Sequence, residues 1–477
     1  MFNFLSKNKK KSQPQAPDYF ELCAKKSGKP YDEMKRIMQI EYNVNGIPFE
    51  AFYRLGLYEF EQKEILKKYK ALKHRKEKRK LARQMAIENV VNKTGWSELK
   101  AIEEMEKAKR ERGVSFTVFD RYNFFKLTPE EQVEELKNIE EKKAQQKKES
   151  REKNLALKEE SIKTVMEGSG WTREQVLEDM KKAKEELGMA THHYAAYRFW
   201  ELTDEERKTY FTLGQSRALK EKYEGGPLNQ NKVAMKDIFN KIFKDYIGRE
   251  WASNANCDFE TFKEKFKNED RLIYKPRSSY GGKGITTIDV NHDNMEETYN
   301  EVMSLPEGIV ESFVKQHPDM AKLSKTSVNT IRVVTIMTED ESKGIETNKV
   351  HILYAGMRMG TGDGITDNLH SGGLIAAIDL ETGRIVTDGM DYKNKIFKTH
   401  PDTGVTIKGY QLPYFQEMKE MLSKAGLLIS GYYGWDVAIT EDGPILIEGN
   451  IIPGPGILQI PYVPEKKGMK HVIEKYL

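Results

Sequence analysis

An all-α, repeat-built N-terminal region followed by an α+β domain is the architecture expected of this chain, on three grounds. Residues 1–225 are rich in Lys, Glu, Ala and Leu and nearly free of strand signals. Within them Gly95-Trp96 recurs as Gly170-Trp171, Met105 as Met180, Gly113 as Gly188 and Leu127-Thr128 as Leu202-Thr203, every pair 75 residues apart. From about residue 226 helical stretches alternate with short apolar, β-branched runs, the pattern of a mixed sheet domain.

A weaker copy of the repeat lies upstream. Gly28, Met38, Gly46 and Tyr58-Glu59-Phe60 match Gly170, Met180, Gly188 and Trp200-Glu201-Leu202 at an offset of 142. The three units span about 18–62, 85–140 and 160–215. Each of the two clear units begins a helix at Gly-Trp-Ser or Gly-Trp-Thr and ends it about four turns later at a glycine C-cap. An aromatic segment such as Tyr194-Ala195-Ala196-Tyr197-Arg198-Phe199-Trp200 follows, then a second N-cap at Thr128 or Thr203 with acids in its first turn. These are helical hairpins joined by long charged helices, of which 140–160 is one. The aromatics are either the small core of each hairpin or a ligand platform, and their helical spacing favours the core. Three copies along charged helices have the form of a docking device for an extended or repeated protein or glycan partner. Residues 63–83 hold eleven Lys or Arg against two Glu, which makes either a solvated connecting helix or a binding face.

The second half, 226–477, is expected to contain helices at 232–247, 258–266 and 415–425. Strands are expected at 272–274, 285–290, 308–314, 331–337, 350–359 and 374–380, with a hairpin near the C-terminus. A net charge of +4 from 78 basic and 74 acidic residues implies no nucleic-acid or membrane partner for the chain as a whole. Cys23 and Cys257 are far apart and belong to no Cys/His cluster, so neither a disulfide framework nor a zinc site is expected, and a reducing cytoplasm fits. The apolar part of Met1 to Lys7 is too short for a signal peptide, and no run reaches the roughly 18 apolar residues of a membrane span.

Chemistry concentrates in the second half. Two apolar runs, 434–440 and 444–450, flank Glu441-Asp442-Gly443, a hairpin signal with a three-residue turn. Centred on Asp442, that turn makes Asp436 and Glu448 direct cross-strand partners and puts Asn450 on the face of Glu448. Carboxylates directly opposite repel, so inside a site they call for a cation, and three hard oxygen ligands suit Mg²⁺. The alternative is a solvated hairpin with incidental acids. Upstream, Lys275 ends a strand and precedes a turn containing Ser279, Gly281 and Gly282. Glycines there would let backbone N–H groups face a polyphosphate while Lys275 supplies charge, although a plain hairpin turn uses glycine too. No GxxxxGK[ST], GxGxxG, HRD or DFG is present, which removes the P-loop, Rossmann and protein-kinase readings. Gly308 to Val314 is a strand whose backbone could read a purine. Arg332 and Arg358 each place a charge in an otherwise apolar strand, to serve as a phosphate fork or as half of a structural ion pair. In the polar loop 360–373, Asn368 and His370 are best suited to touch a nucleotide or acceptor, His370 as a proton carrier or as a bystander.

Taken in order, these elements resemble the ATP-grasp superfamily over roughly residues 226–477, and within it the α-L-glutamate ligase type and the sugar-transfer-associated proteins. The resemblance rests on Lys275-Pro276 with its Ser/Gly loop, Val310-Glu311-Ser312-Phe313, Ile331-Arg332-Val333, the segment 368–373, and the Asp436, Glu448 and Asn450 set followed by Pro453-Gly454. It implies an ATP-grasp fold in which Lys275, Ser279, Gly281 and Gly282 hold phosphates, with Lys232 as a first nucleotide lysine. Glu311, Ser312, Phe313 and Val314 would flank adenine. Asp436, Glu448 and Asn450 would bind Mg²⁺, with Mn²⁺ as an alternative, and Arg332 or Arg358 would stabilise the transferring phosphoryl group.

The implied activity is that of an ATP-dependent carboxylate–amine ligase working through an acyl phosphate. Its co-substrates would be a small-molecule or glycan carboxylate and an amine, in cell-surface glycan synthesis. Helical repeats stand where such ligases usually carry an α/β domain, so acceptor identity stays open. A sugar or polyol kinase, and a nucleotide-switched scaffold acting through its repeats, are the competing readings.

Overall fold

The computed structural model describes residues 18–477 apart from 46, 226, 280, 325, 365, 366, 368, 370 and 371. The expectations placed on Met1 to Lys7, Gly46, Asn368 and His370 therefore lie outside the described residues. The chain divides into two compact units, Met1–Glu149 and Ser150–Leu477. Strands begin only after residue 226, but the third helical repeat belongs to the second unit.

All three repeats share one plan. A 15-residue helix (Tyr31–Asn45, Glu98–Arg112, Arg173–Leu187) is followed by a six-residue helix (Phe49–Arg54, Phe116–Arg121, Thr191–Ala196). A three-residue 3-10 turn then follows (Leu57–Glu59, Phe124–Lys126, Phe199–Glu201). The long helices start where N-cap side chains are available: Ser97 accepts from Lys100 N–H, and Thr172 forms a full capping box with Gln175. They stop at Gly113 and Gly188, both left-handed at φ 75° and 69°, a conformation that costs glycine nothing. Thr203 caps the next helix of the third copy in the same way, with Glu206. The aromatics form the cores of these hairpins: Phe119 and Phe124 are buried in the second copy, and Tyr194, Tyr197 and Phe199 in the third.

One carbonyl shows how the copies diverge. Phe124 O accepts from the buried Gln132 amide at 2.9 Å, whereas the equivalent Phe199 O accepts from Arg207 Nε at 3.0 Å. Arg207 also makes a two-pronged bond to Asp179, at 2.9 and 2.8 Å. Burial opposes ionisation of Asp179, but hydrogen bonds from Arg207 and Tyr194 outweigh it and hold its carboxyl below the ordinary range. Arg207→Ala is expected to cost about 3 kcal/mol, because it strands a largely buried carboxylate. The pair's contribution is present above the ordinary aspartate range and fades as pH falls, so the variant should also flatten the acid limb of stability; urea unfolding against pH checks both.

The second unit holds two antiparallel sheets. The smaller has the order β1-β4-β2-β3, from β1 (Trp251–Ser253), β2 (Arg271–Pro276), β3 (Thr286–Asp289) and β4 (Gly308–Ser312). The larger runs β11-β10-β5-β6-β7-β8-β9. Its members are β5 (Thr330–Met337), β6 (His351–Met359), β7 (Leu374–Ala377), β8 (Gly389–Met390), β9 (Ile396–Phe397), β10 (Gly431–Thr440) and β11 (Gly443–Asn450). The expected helix 258–266 forms as Phe259–Phe266, and 415–425 as Phe415–Ala425.

The single helix expected at 232–247 is instead two, Pro227–Ala234 and Lys236–Ile242. They part at Met235, which is extended, while Lys236 N–H donates to Arg277 O at 3.0 Å. Strand β4 stops at Ser312, short of Val314, and β7 stops at Ala377. β1, β8 and β9 are two or three residues long, too short for a periodic signal.

The third repeat packs into the larger sheet. Tyr194, Tyr197, Phe199 and Tyr210 share one apolar cluster with Val334, Ile336, Leu353, Tyr354 and Tyr432. Polar ties reinforce it: Ser216 Oγ donates to Pro453 O at 2.8 Å, and Tyr223 OH to Tyr476 O at 3.1 Å.

Candidate functional site

Lys275 and Glu311 sit diagonally on one face of β2 and β4, since Lys275 pairs with Ile309 and Glu311 with Ile273. The Lys275 ammonium pairs with the Glu311 carboxylate, which also accepts from Asn240 Nδ2 at 2.8 Å and Arg249 Nη2 at 2.9 Å. Glu311 is 2 % exposed. Burial opposes its ionisation, yet Arg249 and Lys275 outweigh it and keep the carboxyl well below the ordinary range. Its side chain is thus fully committed to Lys275, Arg249 and the Asn240 amide.

The Ser/Gly turn folds beside Lys275. Gly281 and Gly282 are left-handed, at φ 64° and 74°. Lys236 Nζ donates to Ser279 O at 2.8 Å, and the Arg277 guanidinium grips Asp237 at 2.7 and 3.1 Å, so the loop is fastened to the start of the helix Lys236–Ile242.

The opposite wall is the larger sheet. Asp436 and Glu448 are direct cross-strand partners, as expected, and Gly434 pairs with Asn450. The route to that register differs from the expectation. Thr440 pairs with Gly443, so the turn has two residues, and an irregularity between Asp436 and Val437 makes up the difference, with Ile447 as the extra residue. Arg249 binds the carbonyls beside this bulge, Leu446 O at 2.7 Å and Ile447 O at 3.2 Å, while it also holds Glu311. One guanidinium therefore ties the hairpin to the lysine strand.

Both strand arginines meet carboxylates. Arg332 forks onto Asp436 through Nε and Nη2, and Arg358 reaches Asp436 at 2.7 Å and Asp367 at 2.8 Å. The structural ion pair is thus realised for each, and the same guanidinium groups still line the cleft. Asp436 is buried, but Arg332 and Arg358 keep it well below the ordinary carboxylate range. Glu448 moves the other way: burial and the neighbouring Asp436 push it up, against Arg332, Lys236 and Lys275.

The cleft has two adjoining lobes that share Lys275, Gly281, Glu311, Ile447, Glu448 and Asn450; the larger is about 210 Å³. Ser279, Gly282, Ser312, Val314, Arg332, Arg358 and Asp436 line one lobe or the other. Phe313 does not, and its ring lies under Arg271 at 5.6 Å. Lys232 is half-buried on the preceding helix and is not among the lining residues, whereas Lys236 is. Sequence reasoning missed Lys236, Asn240, Arg249 and Asp367. The nearby Arg277 and Asp237 gave no pairing signal that could have chosen Lys236 over Lys232.

Among the described residues no three His, Cys, Asp or Glu side chains cluster as a metal site. The set found here is two carboxylates and one amide, and it fits a hard divalent cation in one respect. Glu448 is pushed up by a neighbour whose charge a cation would offset.

The two antiparallel sheets that face across this cleft of lysines, arginines and paired acids, in the C-terminal part of the second unit, form an ATP-grasp domain. More particularly, residues 254–475 match the family model of sugar-transfer associated ATP-grasp proteins. No curated protein sequence matches the chain. Among solved structures, D-alanine–D-alanine ligase from Bacillus anthracis is similar at 16 % identity over 53 % of this chain and 68 % of its own, with a TM-score of 0.30. The same enzyme from Coxiella burnetii is 10 % identical over 52 % and 57 %, with a TM-score of 0.31. L-amino acid ligase from Bacillus licheniformis is 14 % identical over 48 % and 43 %, with a TM-score of 0.28. The chain thus spans only about half of the last two. Among the described residues no helix is long and apolar enough to cross a membrane.

Burial lowers the pKa of Lys236 from its ordinary value, with Lys275 adding to the shift and Glu448 and Glu311 opposing it. Binding a polyphosphate favours the protonated amine, so nucleotide affinity should fall as pH rises into a range below that of an ordinary lysine. Lys236→Met is expected to weaken ATP binding about tenfold, or ~1.4 kcal/mol, and to flatten this alkaline decline; titration calorimetry between neutral and alkaline pH checks both.

Proposed function

We propose that the chain is an ATP- and Mg²⁺-dependent carboxylate–amine ligase. It forms an amide through an acyl phosphate, joining an amino acid or other amine to a sugar acid, polysaccharide or peptide in cell-surface glycan synthesis. The observation that supports this most is the convergence, in one cleft, of Lys236, Lys275, Arg332 and Arg358 with Asp436, Glu448 and Asn450.

In this reading Lys275, Lys236 and the backbone of the loop 279–282 hold the nucleotide's phosphates. The backbone at 312–314 flanks its base, and Glu311 acts through Lys275. Asp436, Glu448 and Asn450 hold Mg²⁺, which when bound neutralises phosphate charge and orients the phosphoryl group. Arg332 and Arg358, their planes fixed by Asp436 and Asp367, offset charge as a substrate carboxylate attacks the γ-phosphorus and ADP leaves. An amine then attacks the acyl carbon, phosphate departs and the amine proton is lost. The chain's contribution is positioning and fixed charge in a site screened from water. A cytoplasmic location, and docking of a protein or glycan partner on the repeats of residues 1–225, belong to the same reading.

The test is a mass-spectrometric screen of amino acids against uronic acids and peptides with ATP and Mg²⁺, coupled to ADP release. An adduct of the two substrates less one water, formed one for one with ADP, is the expected product. A stable phosphorylated acceptor with no amide would make the protein a kinase, and absence of substrate-dependent ADP release across the screen would sink the enzyme altogether.

A further inference from the structure

A second cavity of about 490 Å³ lies in the second unit and shares no lining residue with the nucleotide cleft. One wall is the helix Pro129–Ser169, which presents Glu160, Thr164 and Glu167 on one face at helical spacing. A second wall is the six-residue helix of the third repeat, through Ala195 and Ala196, and a third is the connection between β8 and β9, through Tyr392 and Asn394. The roof is Leu369 and Gly372, from the loop between β6 and β7. Asp367 of that same loop holds Arg358 in the nucleotide cleft. One short segment therefore has a shoulder in each cavity.

The repeats supply an internal comparison. Where the third copy has Ala195-Ala196, the second has Asp120-Arg121 and the first Tyr53-Arg54, at the offsets of 75 and 142. Arg54 and Arg121 are exposed in their copies, whereas Ala196 is 3 % exposed and borders the cavity. Where the sister units carry an exposed arginine and a tyrosine or aspartate, the third copy presents two methyl groups. Close packing against the sheet would have filled the space thus made, since interiors seldom keep voids larger than a water molecule. Here the space stays open.

Its lining has no single sign: Glu160, Glu167 and Asp391 are set against Lys163 and Lys393. That mixture does not suit a polyphosphate, which would need a field of one sign. Carboxylates and an amide accept from hydroxyl groups, the Tyr392 ring offers an apolar face, and Asn394 Oδ1 is buried without a hydrogen-bond donor among the described residues. The volume falls in the range of small-ligand pockets. We infer that this cavity, walled by the third repeat and roofed by the loop that holds Arg358, is a binding site for a polyhydroxylated ligand of mono- to disaccharide size. That binding stands independently of the ligase reading.

The test uses the full chain without nucleotide and saturation-transfer NMR with glucuronic acid, N-acetylglucosamine and maltose as probes. Transfer to at least one probe is expected. Thr164→Trp, from an exposed helical position, narrows the cavity and should weaken that binding at least tenfold; Glu160→Gln should weaken it about fivefold. Both should leave ATP affinity unchanged. Should Thr164→Trp fail to fold, Glu160→Gln decides. The inference is overturned if no probe shows transfer, or if the folded variants bind like the wild type. Sugar binding without any amide product would leave the cavity standing and remove the ligase. ADP release with amines and non-sugar carboxylates, without sugar binding, would do the reverse.

Discussion

Glu448→Gln is expected to lower substrate-dependent ADP release by about a hundred- to a thousandfold, the usual scale for losing one group that stabilises transition-state charge. The replacement keeps shape and removes charge. Glu448 lies opposite Asp436, half-buried, with its charged form disfavoured. Taking that charge away relieves a like-charge contact, so the unfolding midpoint should be unchanged or raised. Activity and stability are thus expected to move in opposite directions, as at sites whose charges serve function rather than folding. Mg²⁺ titrations of ADP release, alongside urea unfolding, measure the two. A variant that loses activity only because it unfolds would contradict the assignment of Glu448 as a metal ligand.

Glu311→Ala should have the largest effect on stability, about 3–5 kcal/mol, because a buried ion pair is costly to break from one side. Lys275 and Arg249 would both be left facing a void, and Asn240 would lose its acceptor. Arg249 is itself 3 % exposed and binds the hairpin carbonyls, so the damage should reach from the lysine strand to the C-terminal hairpin. Denaturant unfolding gives the first number. Glu311→Gln, which keeps an acceptor for Asn240 and Arg249, should recover part of the loss while ATP affinity stays weakened through the unpaired Lys275. A loss under about 1 kcal/mol for the alanine variant would mean that water enters and solvates the two cations, and that Glu311 is not their anchor.

Much of this was legible in the sequence wherever a physical rule acts locally. Repeat spacing, N-caps at Ser97, Thr172 and Thr203, and glycine stops at Gly113 and Gly188 depend on neighbours a few residues away, and all appear in the helices. Strands β5, β6 and β11 carry enough apolar residues to be located within one residue, whereas β10 begins at Gly431, three residues before the expected start. What stayed hidden depends on distant partners. Arg249 lies 62 residues before Glu311 and 197 before Leu446, and no local pattern announces either bond. Lys232 and Lys236 are one turn apart on what reads as one helix, and only the break at Met235, stabilised by the Arg277 carbonyl, makes the second face the cleft. For the same reason the arginine strands could be found but not their acids, since Asp367 lies in a loop without periodicity.

The two-residue turn and the extra residue at Ile447 carry a consequence for how related chains can differ in length. Because side chains alternate, lengthening the tip by one residue would rotate Glu448 and Asn450 to the far side of the strand unless the bulge vanished in the same lineage. Insertion at one place and deletion at the other, five residues past Asp442, would together be silent, while either alone would turn Glu448 and Asn450 away from Asp436. Alignments of relatives should therefore anchor on the acids and let gaps fall at the tip, where paired length changes mark chains that still carry a working centre.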